Sequence, residues 1–173
     1  MTYVGIDPGL GGAIAFLYPD LVGADLVVPM PLRPGPTGKT EVDAKALLNL
    51  LPYHSDDTLV TVETVHSMPK QSAQSGFSFG KSYGKVLGVL EAFGYRHQFV
   101  TPQAWKRIIL SGLGREKADA IRWARSMYPK IDLRRTPKCT TLSDGMAEAL
   151  AIAEYGRRLY LGVSGTTSQK GKR

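Results

Sequence analysis

The first eighteen residues constrain the fold of this chain more than any other segment. Residues 2–7 form an apolar run that predicts a buried β-strand ending at Asp7. The next residues, 7–12 (DPGLGG), have the proline and glycine content of a tight turn. A second apolar run at residues 13–18 follows this short connection, which predicts an antiparallel pair of strands. An acidic side chain therefore stands where a buried strand turns back.

The rest of the hydrophobic pattern predicts an α/β protein. A third short strand is predicted at residues 24–29, and the Pro-, Gly- and Thr-containing residues 31–40 predict a mobile loop. The later segments are helices at residues 41–51, 75–93, 102–110, 116–128 and 144–160, and strands at 59–65 and 95–100. Three antiparallel strands followed by alternating helices and strands predict a mixed five-stranded sheet with helices on both faces.

The composition predicts one domain in the cytoplasm. The length of 173 residues suits a single domain at residues 1–163, and the basic segment 164–173 is expected to be a disordered tail. No apolar run approaches the length of about 20 residues that spans a bilayer. The sequence shows no signal peptide, and its single cysteine, Cys139, fits a reducing compartment.

The charge of the chain predicts a polyanionic partner. Its net charge is +7, and residues 96–135 contain ten Lys or Arg but three Asp or Glu. Nucleic acid is the commonest partner of such a surface, although a charged surface can also serve solubility alone.

Four acidic residues occupy positions that are hard to explain by folding alone. Asp7 ends the first strand, and Glu63 lies inside the apolar run 60–65. Asp144 and Glu148 are four residues apart, so they share one face of an otherwise apolar helix. An unpaired carboxylate in such surroundings costs several kcal/mol of desolvation. Each acid alone could be a turn, edge-strand, cap or solvated residue, but together they favour a bound cation.

The kind of ligand indicates which cation. Clustered carboxylates without cysteine or histidine suit Mg²⁺ or Mn²⁺, and the three histidines do not have zinc-site spacing. Two such ions about 3.5–4 Å apart can activate a water and stabilise the leaving oxygen of a phosphodiester. The sequence thus predicts a metal-dependent endonuclease with two ions per site.

Three motifs resemble the RuvC-type Holliday junction resolvases, especially the short phage-type members. They are GIDPG at residues 5–9, VE at 62–63 and DGMAEAL at 144–150, and the resemblance runs from about residue 2 to residue 157. The resemblance implies a ribonuclease H-like fold, a homodimer, Mg²⁺ or Mn²⁺ as cofactor, and nicking of four-way DNA junctions. It also implies catalytic and metal-binding roles for the four acids: Asp7 bridges the ions, Glu63 and Asp144 each hold one, and Glu148 completes the site.

The chain departs from the family pattern around the last motif. Many members have Asp where this chain has Glu148, and bacterial housekeeping members separate their last two site residues by three positions rather than four. Members that carry a basic residue or His beside this motif differ from this chain, which has Ser143 there. A longer side chain at position 148 can alter the spacing of the metal ions.

Several further residues are candidates for DNA contact. In the family, an apolar or aromatic residue after the catalytic strand inserts into the junction, which makes Met68 and His66 candidates; an ordinary exposed loop is the alternative. Lys106, Arg107 and Lys117 are candidate phosphate contacts. Trp105, between them, is expected in the core rather than stacked on a base.

The predicted helix after Glu63 carries four glycines at intervals of four residues, at positions 76, 80, 84 and 88. Each costs about 1 kcal/mol relative to alanine inside a helix, so their alignment needs a reason. One interpretation is packing against the chain's own last helix, and the other, implied by the resemblance, is a dimer interface. Lys81 and Lys85 argue against a membrane helix and are further candidates for DNA contact.

Two other functions stay open at this point. The DPGLGG turn is also typical of the phosphate loop of actin-like ATPases and sugar kinases, although the chain is too short for two lobes. A non-catalytic protein that binds branched DNA is the other alternative, and the complete acidic set argues against it.

Overall fold

The computed structural model describes residues 1–20, 25–36, 38–53, 56–64 and 72–163. The candidate DNA contacts His66 and Met68, and the predicted tail at residues 164–173, lie outside the described residues. The described elements, in chain order, are β1 (Thr2–Asp7), β2 (Ala13–Leu17), β3 (Leu26–Pro29), β4 (Leu32–Pro34), β5 (Thr40–Val42), α1 (Ala44–Leu50), β6 (Thr58–Glu63), α2 (Ala73–Ala92), β7 (His97–Val100), α3 (Pro102–Ile109), α4 (Lys117–Met127) and α5 (Asp144–Tyr160).

A five-stranded mixed sheet organises the molecule, with strand order β3-β2-β1-β6-β7. β2 is antiparallel to both β1 and β3, whereas β6 pairs in parallel with β1 and with β7. The antiparallel pair follows from the short turn, and the parallel pairs from the helical crossovers. The predicted mixed sheet is confirmed.

Alternating side chains of β1 supply two separate cores. Tyr3 packs on the face covered by α3, α4 and α5, and Val4 and Ile6 pack on the face covered by α1 and α2. Because successive residues of a strand point to opposite faces, both faces of this strand are apolar and both are covered by helices. The prediction of helices on both faces is confirmed.

Gly5 brings α5 unusually close to the sheet. A Cβ atom at this position would lie 2.2 Å from the carbonyl oxygen of Ala149 and 2.3 Å from the amide nitrogen of Ala153. Only glycine allows that approach, which a real side chain would prevent. The helix that carries Asp144 and Glu148 is therefore held directly against the strand that ends in Asp7.

The segment after β3 differs from the prediction. Residues 31–40 are not simply a loop, because β4 and β5 pair as an antiparallel hairpin in which Arg33 lies opposite Glu41. The predicted helix at 41–51 begins only at Ala44, where Asp43 caps it by accepting hydrogen bonds from two backbone amides. Glu41 is a strand residue whose carboxylate pairs with three basic side chains, and such long-range ion pairs leave no trace in a local pattern.

The glycines of α2 do not pack against the last helix, so that interpretation was wrong. α2 and α5 lie on opposite faces of the sheet. Within the described residues, a Cβ at Gly76, Gly80, Gly84 or Gly88 would meet no atom within 4 Å. The glycine face of α2 is open. None of the described helices combines the length and apolar character needed to cross a bilayer.

Candidate active site

Two of the four acids end neighbouring parallel strands. Ile6 pairs with Val62 in the register of β1 and β6, and Asp7 and Glu63 are the residues that follow. Parallel strands end at the same edge of a sheet, so the two carboxylates emerge side by side. Asp7 also accepts a hydrogen bond from the Gly9 amide at 3.2 Å, which ties its carboxylate to the turn after β1.

The first turn of α5 brings the third acid to the same edge. Ser143 caps the helix by accepting a hydrogen bond from the Met146 amide at 3.3 Å, and Asp144 is the first helical residue. A Cβ at Gly145 would lie 3.1 Å from Oδ2 of Asp7 and 2.5 Å from the carbonyl oxygen of Gly11. The amino end of α5 thus lies directly against Asp7 and its turn.

The acids on α5 each have a lysine partner. Glu148 lies one helical turn after Asp144, and its Oε1 is 3.2 Å from Nζ of Lys106. Lys117, the first residue of α4, forms an ion pair with Asp144. This pairing lowers the pKa of Asp144 and raises that of Lys117. Two candidate phosphate contacts therefore bind site carboxylates in this structure.

The two strand-end acids are poorly neutralised. Burial, with smaller contributions from the charges of Glu148 and Asp144, raises the pKa of Asp7 to about 6. Burial, with smaller contributions from the charges of Asp7 and Glu148, raises the pKa of Glu63 to about 7. Because β1 and β6 end side by side and the amino end of α5 lies against Asp7, these carboxylates repel one another. Such a group of acids gains stability from protons or from a cation.

Trp105 supports the site from the core. Its side chain is fully buried, as predicted, and its indole Nε1 donates a 2.7 Å hydrogen bond to Oε1 of Glu63. The bond favours the ionised carboxylate and opposes the rise in the pKa of Glu63. The sequence placed Trp105 in the core, but nothing in it indicated this partner, which lies 42 residues away.

Arg135 is a further site residue that the sequence analysis did not single out. Its Nη1 donates hydrogen bonds to the carbonyl oxygens of Gly11 at 2.6 Å and Gly12 at 3.2 Å, and Nη2 reaches that of Leu10 at 3.5 Å. The same turn has no space for a side chain at Gly12, whose Cβ would lie 2.7 Å from Cγ of Asp7. Arg135 therefore fixes the turn that sets the position of Asp7. Its only sequence signal was membership of the basic segment.

The donor chemistry fits a hard divalent cation, because all four candidate ligands are carboxylates. As the side chains stand, no group of three or more His, Cys, Asp or Glu residues in the described part of the chain could enclose an ion. Lys106 and Lys117 instead hold Glu148 and Asp144. The ion pairs engage Oε1 of Glu148 and Oδ2 of Asp144, and the ammonium groups offset negative charge that a bound cation would otherwise offset.

The remaining candidate DNA contacts among the described residues lie on two helices, α3 and α2. Arg107 is exposed on α3, the helix that also carries Lys106. Lys81 and Lys85 pair with Glu41 rather than with any of the four acids.

Another acid of α5 shows what a structural carboxylate looks like in this chain. Glu154 is buried but accepts hydrogen bonds from Arg157, Arg158 and Tyr128. The arginines lower its pKa against the effect of burial. Asp7 and Glu63 have no such arginine pair within the described residues, which separates them from an acid with a purely structural role.

The structure is similar to two solved structures of RuvC from Thermus thermophilus. One is the RuvC structure itself, with a TM-score of 0.58 and 19% identity over 95% of this chain and 99% of that chain. The other is T. thermophilus RuvC in complex with a Holliday junction substrate, with a TM-score of 0.58 and 16% identity over the same shares. No protein-family model and no curated protein matches the sequence. The similarity confirms the ribonuclease H-like fold that the motifs predicted.

Proposed function

We propose that this protein is a structure-specific DNA endonuclease that resolves four-way and other branched DNA junctions by divalent-metal-dependent phosphodiester hydrolysis. The observation that carries the proposal is the meeting of Asp7, Glu63, Asp144 and Glu148 at one edge of the sheet, where their charges interact. The fold shared with T. thermophilus RuvC, which has been solved with a Holliday junction substrate, supports it.

The four carboxylates would hold Mg²⁺ or Mn²⁺, with two ions per site. Asp7 would hold metal together with Asp144 and Glu148, whose charges act on it. Bound ions of this kind lower the pKa of a water and stabilise the leaving oxygen of a phosphodiester.

The chain's own residues orient these ligands and receive the substrate. Trp105 engages one oxygen of Glu63, so the other oxygen remains available to a cation. Lys106 and Lys117 neutralise Glu148 and Asp144 in this structure. With Glu148 and Asp144 holding a cation, the ammonium groups of Lys106 and Lys117 would be able to contact a phosphate. Metal binding would then free the two lysines for DNA, and DNA binding would free the two carboxylates for metal. The two binding events would therefore favour one another.

Action on junctions further calls for two sites, which a homodimer would provide. The open glycine face of α2 carries Phe77, whose side chain is 77% exposed, and it is our candidate for the contact with a second copy. A two-fold dimer would place its sites symmetrically on two strands of a junction. His66 and Met68 remain candidates for the insertion into the junction centre.

The decisive experiment compares a mobile four-way junction with a linear duplex of the same sequence, each with Mg²⁺, Mn²⁺ or a chelator. We expect metal-dependent cleavage of the junction alone, with 5′-phosphate and 3′-hydroxyl ends. Asp7→Asn should abolish cleavage and retain junction binding, because it removes a metal ligand and leaves the basic surface unchanged. Asp20→Asn, at an exposed acid that pairs with the N-terminal ammonium group, is the matched control and should cleave normally.

The outcomes separate this proposal from the alternatives. Substantial cleavage by Asp7→Asn would contradict the assigned site. Binding of the junction without cleavage in any metal would indicate a non-catalytic branched-DNA-binding protein. Nucleotide binding detected by calorimetry, without junction binding, would favour an actin-like phosphotransferase. Sedimentation with and without the junction tests the homodimer.

A further inference from the structure

A second group of basic side chains surrounds a single acid on the other face of the sheet. Glu41 of β5 binds Arg33 of β4 through Nη2 at 3.0 Å and Lys85 of α2 through Nζ at 2.8 Å, and Lys81 of α2 pairs with it as well. Lys85 also donates a 2.9 Å hydrogen bond to the carbonyl oxygen of Val42. These four residues, Arg33, Glu41, Lys81 and Lys85, are called the Glu41 cluster.

The Glu41 cluster carries a net positive charge. The Glu41 side chain is 6% exposed, whereas those of Arg33, Lys81 and Lys85 are 52%, 43% and 21% exposed. Lys81 and Lys85 lower the pKa of Glu41 to about 2, so the carboxylate is ionised at neutral pH. Among the described residues, no other carboxylate lies within 4.0 Å of these cations. Three cations around one anion leave two positive charges at the surface.

The buried carboxylate of Glu41 also orders the basic side chains around it. Long basic side chains lose conformational entropy when a ligand orders them. Glu41 already holds three basic side chains together, so these side chains have lost conformational entropy before any anion binds. The arrangement is suited to a ligand with closely spaced negative charges.

The helix that carries Lys81 and Lys85 also contacts the turn beside the four acids. Phe79 of α2 lies beside the turn that follows Asp7, since a Cβ at Gly9 would be 3.6 Å from its ring and 3.5 Å from Oδ1 of Asp7. Lys81 is two residues further along the same helix, a rise of about 3 Å, and lies on roughly the opposite side of the helix axis from Phe79. The cluster therefore offers positive charge on the face of the sheet opposite α3 and α4, the helices that carry Lys106 and Lys117.

We propose that the Glu41 cluster binds the phosphate backbone of one duplex arm of a branched DNA substrate, outside the cut site. The inference rests on the proposed function and extends it from the scissile phosphate to an arm of the junction. Charge complementarity selects the backbone: the cluster offers guanidinium and ammonium donors, which contact phosphates without reading sequence. Residues of the β4–β5 hairpin thereby gain a role that none of the sequence motifs indicated.

The test measures junction binding in chelator, where no cleavage occurs, over a range of salt concentrations. Each lost phosphate contact reduces the slope of log affinity against log salt by about 0.9. We expect that reduction for Arg33→Ala and for Lys81→Ala. Lys45→Ala is the control, because Lys45 is exposed on α1 and belongs neither to the Glu41 cluster nor to the basic segment 96–135; its slope should equal that of the unaltered protein.

A conservative variant and shortened substrates separate charge from folding. Arg33→Lys keeps the charge and should restore the slope, which a purely structural role would not predict. Trimming the arms of the junction should weaken binding by the unaltered protein severalfold and affect Arg33→Ala much less. Unchanged slopes in Arg33→Ala and Lys81→Ala would overturn the arm contact and leave the nuclease proposal intact. Failure of the unaltered protein to bind branched DNA would overturn both.

Discussion

The indole Nε1 of Trp105 donates a 2.7 Å hydrogen bond to Oε1 of Glu63. The contact joins a fully buried residue of α3 to a carboxylate at the end of β6. It fixes one oxygen of a candidate metal ligand from inside the protein, where water cannot compete. The core therefore sets the orientation of the Glu63 carboxylate before any ligand binds.

Replacing Trp105 by Phe should keep the core apolar while removing this donor. We expect the free energy of unfolding at neutral pH to fall by about 1.5–3 kcal/mol, the range for hydrogen bonds to charged groups. Mn²⁺ affinity should fall as well, because the pKa of Glu63 rises when the bond is lost. Urea unfolding and calorimetry measure the two effects. Trp123→Phe, at a buried tryptophan that packs on Tyr128, should leave Mn²⁺ affinity unchanged.

The stability of the metal-free protein should fall as pH rises from about 4.5 to about 7. Folding raises the pKa of Asp7 to about 6 and that of Glu63 to about 7, so in this interval the folded chain binds more protons than the unfolded chain. Stability then decreases with rising pH. The acids with lowered pKa values, such as Asp144, change the stability only at lower pH and do not contribute to the slope in this interval.

Chemical denaturation in chelator between about pH 5 and about pH 8 measures this dependence, in which each pKa unit corresponds to about 1.4 kcal/mol. Asp7→Asn should flatten the curve. Mn²⁺ should reverse the trend, since it binds the deprotonated carboxylates and its affinity rises over the same interval. A metal-free protein whose stability increased across this range would contradict the burial of these acids.

Arg135→Ala should weaken the site through the turn after β1. Loss of the guanidinium removes a donor from three carbonyl oxygens, of which only that of Gly12 keeps a backbone donor, the Met30 amide, among the described hydrogen bonds, and Asp7 loses the support of its turn. We expect Mn²⁺ affinity and kcat to fall at least about tenfold, the equivalent of about 1.4 kcal/mol, with little change in KM for the junction. Arg135→Lys should restore part of the loss, because one ammonium cannot reach all three carbonyls.

Arg134→Ala is the control for this prediction, since its side chain binds Asp132 rather than the turn. Equal losses of metal affinity in the two alanine variants would show that general charge, not the position of the turn, determines the effect of Arg135. Calorimetry with Mn²⁺ and steady-state cleavage are the measurements.

Gly5→Ala should be among the most damaging small substitutions in the chain. The new Cβ would collide with the backbone of α5 at Ala149 and Ala153, so the helix must move away from the sheet. We expect a loss of about 3 kcal/mol or more in unfolding free energy, together with loss of Mn²⁺ binding. Gly88→Ala, where nothing described lies within 4 Å, should be neutral or stabilising by up to about 1 kcal/mol.

The sequence could predict those parts of the site that depend on local patterns. Asp7 ended one apolar run and Glu63 lay inside another; the structure ends β6 at Glu63, and the parallel pairing of β1 and β6 places the two acids side by side. The spacing of Asp144 and Glu148 fixed their common helical face. These predictions needed no knowledge of side-chain directions beyond strand ends and helical periodicity.

The contacts that cross the fold could not be predicted in this way. Arg135 reaches a turn more than 120 residues away, and nothing in its neighbourhood distinguishes it from Arg134. The hairpin of β4 and β5 was mistaken for a loop because its composition is that of a turn, while its Glu41 finds two of its partners on α2. One interpretation of the α2 glycines was packing against α5, but α5 lies on the opposite face of the sheet.

The four candidate metal ligands come from residues 7, 63, 144 and 148, so they span most of the chain. A ribosome must therefore release the first turns of α5 before the four carboxylates can meet, and a chain that stops between Glu63 and Asp144 has only two of the four. The proposed cleavage therefore depends on α5, the last helix in chain order, and the proposed metal site cannot form in a product that lacks this helix.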